Sequence, residues 1–316
     1  MTAWTARSLA EQTGRTFVIT GGNSGIGLEA ARDLAGRGGH VVLAVRDLDK
    51  GEQARAAITA GGAKGSAEVR HLDLADLDSV AAFAKGLTEQ LEADGKLLNA
   101  LICNAGVMGG PLLYTTQGFE RQIGTNHLGH VALVGALWPA LHSAAGRVVM
   151  VSSIASRGGR LSTSTTRDDL VAPSPYASGK VYASSKQANL LFAQELHRRV
   201  VAAGSPVSAV ACHPGVSWTN LFARQMRDEG KAWVVPFLTL VRPVVFQSAA
   251  AGAQPTLRAL DPSTPSGAFV GPKFLNGARG KPELLDVFST GADPDVAQHI
   301  WELTEDILGT GVPLAG

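Results

Sequence analysis

Short apolar runs alternate with longer amphipathic stretches along this chain. In the stretch 77–91, apolar residues recur at three- and four-residue steps, which is typical of one buried helix face. Strand, helix and strand in succession indicate parallel strands joined by crossovers, and runs apolar on both faces fit strands between two helix layers. The pattern therefore predicts an α/β protein with a doubly wound parallel sheet of the Rossmann type. The predicted strands are 16–20, 41–45, 100–103, 148–151 and 207–212.

The chain of 316 residues contains no linker, charge block or low-complexity tract that would divide it. A chain of this length can bury roughly three-quarters of the surface that it exposes when unfolded. We therefore predict one domain over residues 1–316, with residues 216–247 forming a helical substrate lid within it.

The balance of charges bears on which partners the protein can bind. The chain has 28 lysines and arginines and 27 acidic residues, which gives a net charge of +1. Such a chain has no broad positive field for nucleic acid or anionic lipid, so we expect neither as a partner. The most apolar stretch, 232–246, contains two prolines and an arginine and is shorter than the roughly 20 residues of a membrane span. Residues 1–15 and the C terminus show no targeting signal, so we expect a cytoplasmic protein with no membrane span. A homo-oligomer remains open.

Cys103 and Cys212 lie in apolar strand-like runs. We expect buried reduced thiols there, because two cysteines so placed form no disulfide framework.

A glycine-rich loop follows the first predicted strand and precedes a predicted helix. Glycines let the backbone turn tightly, and the free N–H groups of the helix point at an anion. A nucleoside-triphosphate loop would need Lys and Ser or Thr where Leu28 and Glu29 stand, and a glycine turn without a ligand is disfavoured by the flanking strand and helix. The loop predicts a pyrophosphate site formed by Gly21, Asn23, Ser24, Gly25, Ile26 and Gly27.

The end of the second predicted strand bears on which dinucleotide would bind. Arg46 can pair with a 2′-phosphate, whereas Asp47 lies about twenty residues past Gly27, where an acid that binds ribose is often found. A charge-assisted fork to phosphate contributes more free energy than a displaced carboxylate. NADP(H) is therefore favoured, with NAD(H) as the alternative.

Further motifs follow in order along the chain: Asn104-Ala105-Gly106, Asn126-His127-Leu128-Gly129, Ser152-Ser153 and Tyr182 with Lys186 four residues on. Together with the glycine loop, over residues 16–215, they resemble the short-chain dehydrogenase/reductase family, and the residues around Asn126 and Tyr182 look most like its retinol-dehydrogenase-like subset. The resemblance implies hydride transfer between a nicotinamide and a carbonyl or alcohol. It implies four catalytic residues, with Asn126 anchoring a proton-relay water, Ser153 orienting the substrate carbonyl, Tyr182 as acid/base and Lys186 holding the nicotinamide ribose.

Tyrosine suits this chemistry because the oxygen of a reduced carbonyl needs a hydrogen-bond donor and then a proton. The ordinary phenol pKa of about 10 is too high for efficient transfer near neutrality, and lowering it by about three units takes about 4 kcal/mol. Tyr182 and Lys186 share one helix face, so we expect the ammonium to lower the pKa of the phenol.

Tyr176 and Lys180 have the same spacing and form a rival pair. Pro173 and Pro175 precede this pair and Gly179 interrupts it, a setting typical of a turn. Tyr182 leads instead into a strong helix pattern, so the sequence favours Tyr182.

Only one of Ser152 and Ser153 can face the site, because adjacent strand residues point to opposite faces. The family position selects Ser153, and Ser152 is then a structural hydroxyl.

The resemblance implies additional contacts with the dinucleotide. Asp73, followed by Leu74, would contact adenine, with a helix cap as the alternative for Asp73. Asn104, Ala105 and Gly106 would pack against adenosine, and Tyr182 and Lys186 would also touch the dinucleotide. A segment that would bind the nicotinamide carboxamide comprises Pro214, Gly215, Val216 and Thr219.

His127 and His130 lie three residues apart on a predicted helix, as metal ligands can. No third ligand of fitting type accompanies them, so we interpret them as packing or capping residues and predict no metal.

The segment after Gly215 is rich in large apolar residues. It suits either a lid over a small apolar ketone, aldehyde or alcohol, or an ordinary helix pair on the core. The large apolar residues of this segment are Trp218, Leu221, Phe222, Met226, Trp233, Val234, Val235, Phe237 and Leu238.

The predicted function is an NADP(H)-dependent oxidoreductase. The alternatives are a dinucleotide-sensing regulator, or an epimerase or dehydratase that uses bound cofactor transiently.

Overall fold

The computed structural model describes residues 4–216 and 247–314. In these ranges the strands form one sheet in the order β3-β2-β1-β4-β5-β6-β7-β8. Strands β1 to β7 pair in parallel, and β8 pairs antiparallel with β7 at the edge. The strands are β1 (Thr16–Thr20), β2 (His40–Val45), β3 (Ser66–His71), β4 (Leu98–Cys103), β5 (Arg147–Val151), β6 (Ser208–Cys212), β7 (Phe269–Lys273) and β8 (Arg279–Leu285).

Helices connect the strands and cover the sheet. They are α1 (Gly25–Gly36), α2 (Leu48–Ala60), α3 (Leu77–Asp94), α4 (Arg121–Ile123), a π-helical turn (Gly124–Leu128), α5 (Gly129–Ala136), α6 (Trp138–Ser143), α7 (Arg167–Val171), α8 (Ser178–Ala202), α9 (Ala249–Ala259), α10 (Phe274–Gly277), α11 (Ser289–Ala292) and α12 (Pro294–Leu308). Short 3₁₀ turns lie at Ala6–Ser8 and Ile154–Gly158.

The hydrophobic core lies on both faces of the sheet. Val18 of β1 points to the face covered by α3, α5, α8 and α12. Its neighbours Phe17 and Ile19 point to the opposite face, covered by α1, α2 and α9. Because successive strand residues alternate between faces, a strand apolar throughout is buried by both helix layers. The predicted doubly wound parallel sheet is therefore confirmed.

The predicted lid at 216–247 lies almost wholly outside the described residues, and so does Thr219. Its two described ends are adjacent, because the Gln247 N–H donates to the Val216 carbonyl at 3.0 Å. Among the described helices, none is long and apolar enough to cross a lipid bilayer.

The sheet topology brings the sequence motifs to one edge. Strands β1 and β4 are neighbours at the point where the strand order reverses, and β5 and β6 continue from there. Ligands of open α/β sheets bind at the carboxyl ends of the strands beside such a switch point. The glycine loop, Asn104, Ser153 and the 213–216 segment each follow one of these four strands.

Candidate active site

A cavity of about 650 Å³ opens at the carboxyl edge of β1, β4, β5 and β6. Its lining contains all but two of the predicted site residues. Asn126 lies behind the lining, and Thr219 lies outside the described residues. The predicted residues in the lining are Gly21, Asn23, Ser24, Gly25, Ile26, Gly27, Arg46, Asp73, Leu74, Asn104, Ala105, Gly106, Ser153, Tyr182, Lys186, Pro214, Gly215 and Val216.

The glycine loop has the shape of an anion cradle. Gly21 adopts a φ of 65°, a left-handed conformation that favours glycine. A Cβ atom on Gly27 would lie 2.6 Å from Asn104 Nδ2 and 2.7 Å from the Gly21 carbonyl oxygen, so only glycine fits there. The Ser24 side chain precedes α1 without accepting a hydrogen bond from it. Ser24 thus leaves the first N–H groups of α1 uncapped, and the diphosphate of a dinucleotide fits this cradle.

Two cations line the cavity beyond the second strand. Arg46 is exposed and forms no hydrogen bond or ion pair with any part of the chain that the structure describes. Asp47 caps α2 by accepting from the Lys50 N–H at 3.1 Å, and its second oxygen binds the Lys50 ammonium. That hydrogen bond also holds the pKa of Asp47 below its ordinary value. Sequence reasoning missed Lys50, although its place in the first turn of the helix after Arg46 was a usable signal.

Asp73 lines the cavity, and its side chain accepts a hydrogen bond from the Ala75 N–H at 2.9 Å. The residue that caps α3 is Asp76, whose carboxylate accepts from the Asp78 N–H. The alternative interpretation of Asp73 as a helix cap is therefore wrong.

The two adjacent serines have different partners. Ser152 is 2% exposed and donates to the backbone carbonyl of Lys186 at 2.6 Å, which ties β5 to α8. The Ser153 hydroxyl accepts from the Ala155 N–H at 3.1 Å, and it lies close enough to the Tyr182 phenol to lower the pKa of that phenol. Of the two, Ser153 is the hydroxyl that reaches the phenol.

Tyr182 and Lys186 lie on one face of α8, yet their side chains do not pair as the sequence predicted. Burial raises the pKa of Tyr182 above its ordinary value, and the nearby Ser153 side chain offsets only part of this rise. The Lys186 ammonium donates to the Val151 carbonyl at 3.0 Å, and burial lowers its pKa to about 8. The expectation that Lys186 lowers the phenol pKa is therefore wrong for this arrangement, because the lysine reaches across to β5.

The rival Tyr176 lies outside the cavity. It precedes α8, which begins at Ser178, and its hydroxyl accepts a hydrogen bond from Gln122 Nε2 at 3.2 Å. The same hydroxyl lies 3.5 Å from the Gly110 carbonyl oxygen. Tyr182 is thus the tyrosine that lines the cavity within the described ranges.

Asn126 is fully buried in the π-helical turn and connects two walls of the cavity. Its side-chain oxygen accepts from the Val107 N–H at 2.7 Å. Its amide donates to the Val107 carbonyl at 2.9 Å and to the Ser185 hydroxyl at 3.0 Å. Single π-helical turns inside α-helices are frequent at functional sites, because they displace the backbone locally.

Both ring nitrogens of His127 have partners that are not metal ligands. Nδ1 lies 3.2 Å from Asn189 Oδ1, and Nε2 lies 2.9 Å from Thr304 Oγ1. Burial lowers the pKa of His127 to about 4, so the ring is neutral at physiological pH. Across residues 4–216 and 247–314, no group of three or more His, Cys, Asp or Glu side chains could hold a metal ion.

The 213–216 segment is fixed against the turn between β7 and β8. Gly215 has a φ of 69°, and a Cβ atom on it would lie 2.4 Å from the Ala278 carbonyl oxygen. The same carbonyl accepts from the Val216 N–H at 2.7 Å. This close approach places the backbone of Pro214, Gly215 and Val216 in the cavity lining.

Comparison with known proteins agrees with this geometry. The family model described as short chain dehydrogenase matches residues 15–165. Retinol dehydrogenase 12 of Mus musculus is 38% identical over 300 residues, which cover 94% of this chain and 87% of that protein. Retinol dehydrogenase 11 of Homo sapiens is 35% identical over 304 residues, which cover 96% of this chain and 88% of that protein.

Solved structures with the same fold include that of an uncharacterized protein from Mycobacterium Paratuberculosis. It is 42% identical with a TM-score of 0.79, covering 99% of this chain and 100% of that one. L-sorbose reductase from Gluconobacter frateurii, solved with NADPH and L-sorbose, has a TM-score of 0.63 at 19% identity. The match covers 83% of this chain and 95% of that one. At that identity the likeness shows the fold alone.

Proposed function

The chain belongs to the short-chain dehydrogenase/reductase family of oxidoreductases, which act on alcohol and carbonyl groups, and from that premise we propose its chemistry in more detail. It interconverts an apolar ketone or aldehyde and the corresponding alcohol with NADP(H), and Tyr182 is the general acid/base. The observation that carries this proposal is that Ser153, Tyr182 and Lys186 line one cavity together, with Ser153 near enough to the Tyr182 phenol to act on its pKa.

In the reductive direction, Tyr182 gives its proton to the carbonyl oxygen of the substrate as negative charge develops there. The Ser153 hydroxyl is a second donor for the same oxygen, and such donors stabilise the charge in the transition state. When bound, the reduced dinucleotide supplies the hydride.

The glycine loop would hold the diphosphate, and Lys186 the nicotinamide ribose. Preference for NADP(H) is supported by Arg46, whose guanidinium is unpaired within the described chain, and by Lys50 beside it. The carboxylate of Asp47 is already engaged by Lys50 and by the start of α2, so it is not free to select a ribose hydroxyl.

An apolar substrate is supported by the side chains near Ser153 and Tyr182 in the cavity. Val107 and Met108 follow β4, and Ile154 and Ala155 follow Ser153, and all four line the cavity. The names of the curated relatives, retinol dehydrogenases, point to apolar alcohols as their substrates.

The experiment is a screen of the purified protein with NADPH, and with NADH alongside, against aliphatic, aromatic and polyene aldehydes and ketones, including all-trans-retinal. We expect NADPH oxidation with at least one apolar carbonyl, and its loss in Tyr182→Phe while NADPH still binds. NADPH binding without any Tyr182-dependent oxidation would contradict the proposal. Turnover with no net change in a retained cofactor would favour the epimerase or dehydratase alternative.

A further inference from the structure

A buried histidine bridges the end of β1, where the glycine loop begins, and Asn126. His130 is fully buried in α5. Its Nε2 lies 2.9 Å from the hydroxyl of Thr20, the last residue of β1, and its Nδ1 lies 2.9 Å from the backbone oxygen of Asn126. One imidazole ring therefore connects the start of the phosphate cradle to the π-helical turn.

The direction of these hydrogen bonds follows from the chemistry of the partners. A carbonyl oxygen can only accept, so His130 Nδ1 carries the proton. Burial lowers the pKa of His130 to about 3, so the ring is neutral at physiological pH and Nε2 is an acceptor. The Thr20 hydroxyl therefore donates to Nε2, and Nδ1–H donates to Asn126.

The Thr20 hydroxyl is itself held by the chain that follows β4. It accepts hydrogen bonds from the N–H groups of Asn104 and Ala105, both at 2.9 Å. Its one hydrogen can go to His130 at 2.9 Å or to the Ile102 carbonyl at 3.3 Å, and the shorter contact favours the imidazole. The ring is thus anchored at a point where the ends of β1 and β4 are already joined.

Asn126, at the other end of the bridge, fixes both walls beside the reacting groups. It pairs with the backbone of Val107 and donates to Ser185, whose hydroxyl donates to the Tyr182 carbonyl at 2.8 Å. His130 does not line the cavity, so it can act on the reaction only through these contacts.

We propose that His130 is a positioning residue for the hydride-transfer reaction, holding Asn126 against the glycine loop so that the Val107 wall and the Tyr182 helix keep their spacing. The proposal rests on the proposed function of Tyr182. Filling the same space would not require an imidazole, whereas satisfying two buried polar partners on opposite sides of one ring does.

The test uses three variants that separate the two hydrogen bonds. His130→Asn places a donor near the position of Nδ1 and loses the contact with Thr20. His130→Gln reaches the position of Nε2 and loses the contact with Asn126, and His130→Leu loses both. Asn and Gln are matched polar amides, so they carry the test even if the leucine variant fails to fold.

Each variant is measured for kcat with the best carbonyl of the screen, for NADPH affinity by fluorescence, and for amide hydrogen exchange at Val107. We expect kcat to fall about tenfold or more in all three variants, because loss of either buried hydrogen bond breaks the bridge between Thr20 and Asn126. NADPH affinity should change by less than about threefold in all of them, and Val107 should exchange faster in each of them than in the wild type.

Wild-type kcat together with wild-type exchange at Val107, in either His130→Asn or His130→Gln, would overturn the proposal. Losses that follow only the fraction of folded protein would also overturn it. Tyr182→Phe is assayed alongside: if that variant stays active, the proposed function fails, while the exchange at Val107 still decides whether His130 positions Asn126.

Discussion

Lys186 donates its ammonium hydrogen bond to the backbone carbonyl of Val151, 3.0 Å away, and not to the Tyr182 phenol on its own helix. Lys186 is only 4% exposed, and burial lowers the pKa of its ammonium to about 8. Its charge therefore changes just above neutral pH, where an ordinary lysine stays charged.

This lowered pKa makes cofactor binding depend on pH. Lys186 is charged below about pH 8 and neutral above it, and a neutral amine stabilises bound dinucleotide less. We predict that the Kd for NADPH is constant below that pH and rises toward a limit of about tenfold per pH unit above it. Fluorescence titration with NADPH at pH values on both sides of the Lys186 pKa checks this prediction. Lys186→Met is the control, and it should bind NADPH weakly at every pH. A wild-type Kd that stays flat would contradict the prediction.

Arg46 and Lys50 should select the 2′-phosphate. Arg46→Leu and Lys50→Met each remove one cation from the cavity end, and a charge-assisted hydrogen bond contributes about 1.5–3 kcal/mol. We predict that each variant weakens NADPH binding about tenfold or more and leaves NADH binding within about twofold. Isothermal titration with both dinucleotides measures this difference. Equal losses for NADPH and NADH would remove the phosphate role.

The two serines should separate stability from catalysis. Ser152→Ala leaves the buried Lys186 carbonyl without its 2.6 Å donor, so we predict a loss of about 1–3 kcal/mol in the free energy of unfolding. Ser153→Ala removes a donor next to the phenol, so we predict kcat about 100-fold lower with a nearly unchanged unfolding free energy. Denaturant unfolding and steady-state kinetics on both variants check this. A large loss of kcat in Ser152→Ala, with the loss of stability in Ser153→Ala instead, would show that Ser152 faces the substrate.

The fold was predictable where strands are buried on both faces. β1 and β5 are short apolar runs because helices cover them on both sides, and the sequence marks them clearly. At the sheet edges, β3 is half-buried and β8 is largely exposed, so no apolar run marks either strand. β7 is buried but contains Gly271 and Pro272, which hide it among turn signals.

The site was predictable where a residue is set by its place in a local motif, as for Ser153 or Gly27. What the sequence could not predict is which partner a long side chain reaches. Lys186 reaches β5, and Lys50 binds Asp47, because packing around each decides among several acceptors within range. The hydrogen bond between His130 and Thr20 joins residues 110 positions apart, so no local pattern reveals it.

The assignment of the proton donor is tested most directly by comparing two tyrosine variants. Tyr182 lines the cavity, whereas Tyr176, with a lysine at the same spacing, binds Gln122 outside it. The measurement is kcat for NADPH-dependent carbonyl reduction by Tyr182→Phe and Tyr176→Phe, with NADPH binding confirmed for both. We predict a fall of about 100- to 10,000-fold for Tyr182→Phe and less than about threefold for Tyr176→Phe. Full activity in Tyr182→Phe, or the large loss in Tyr176→Phe alone, would contradict the account.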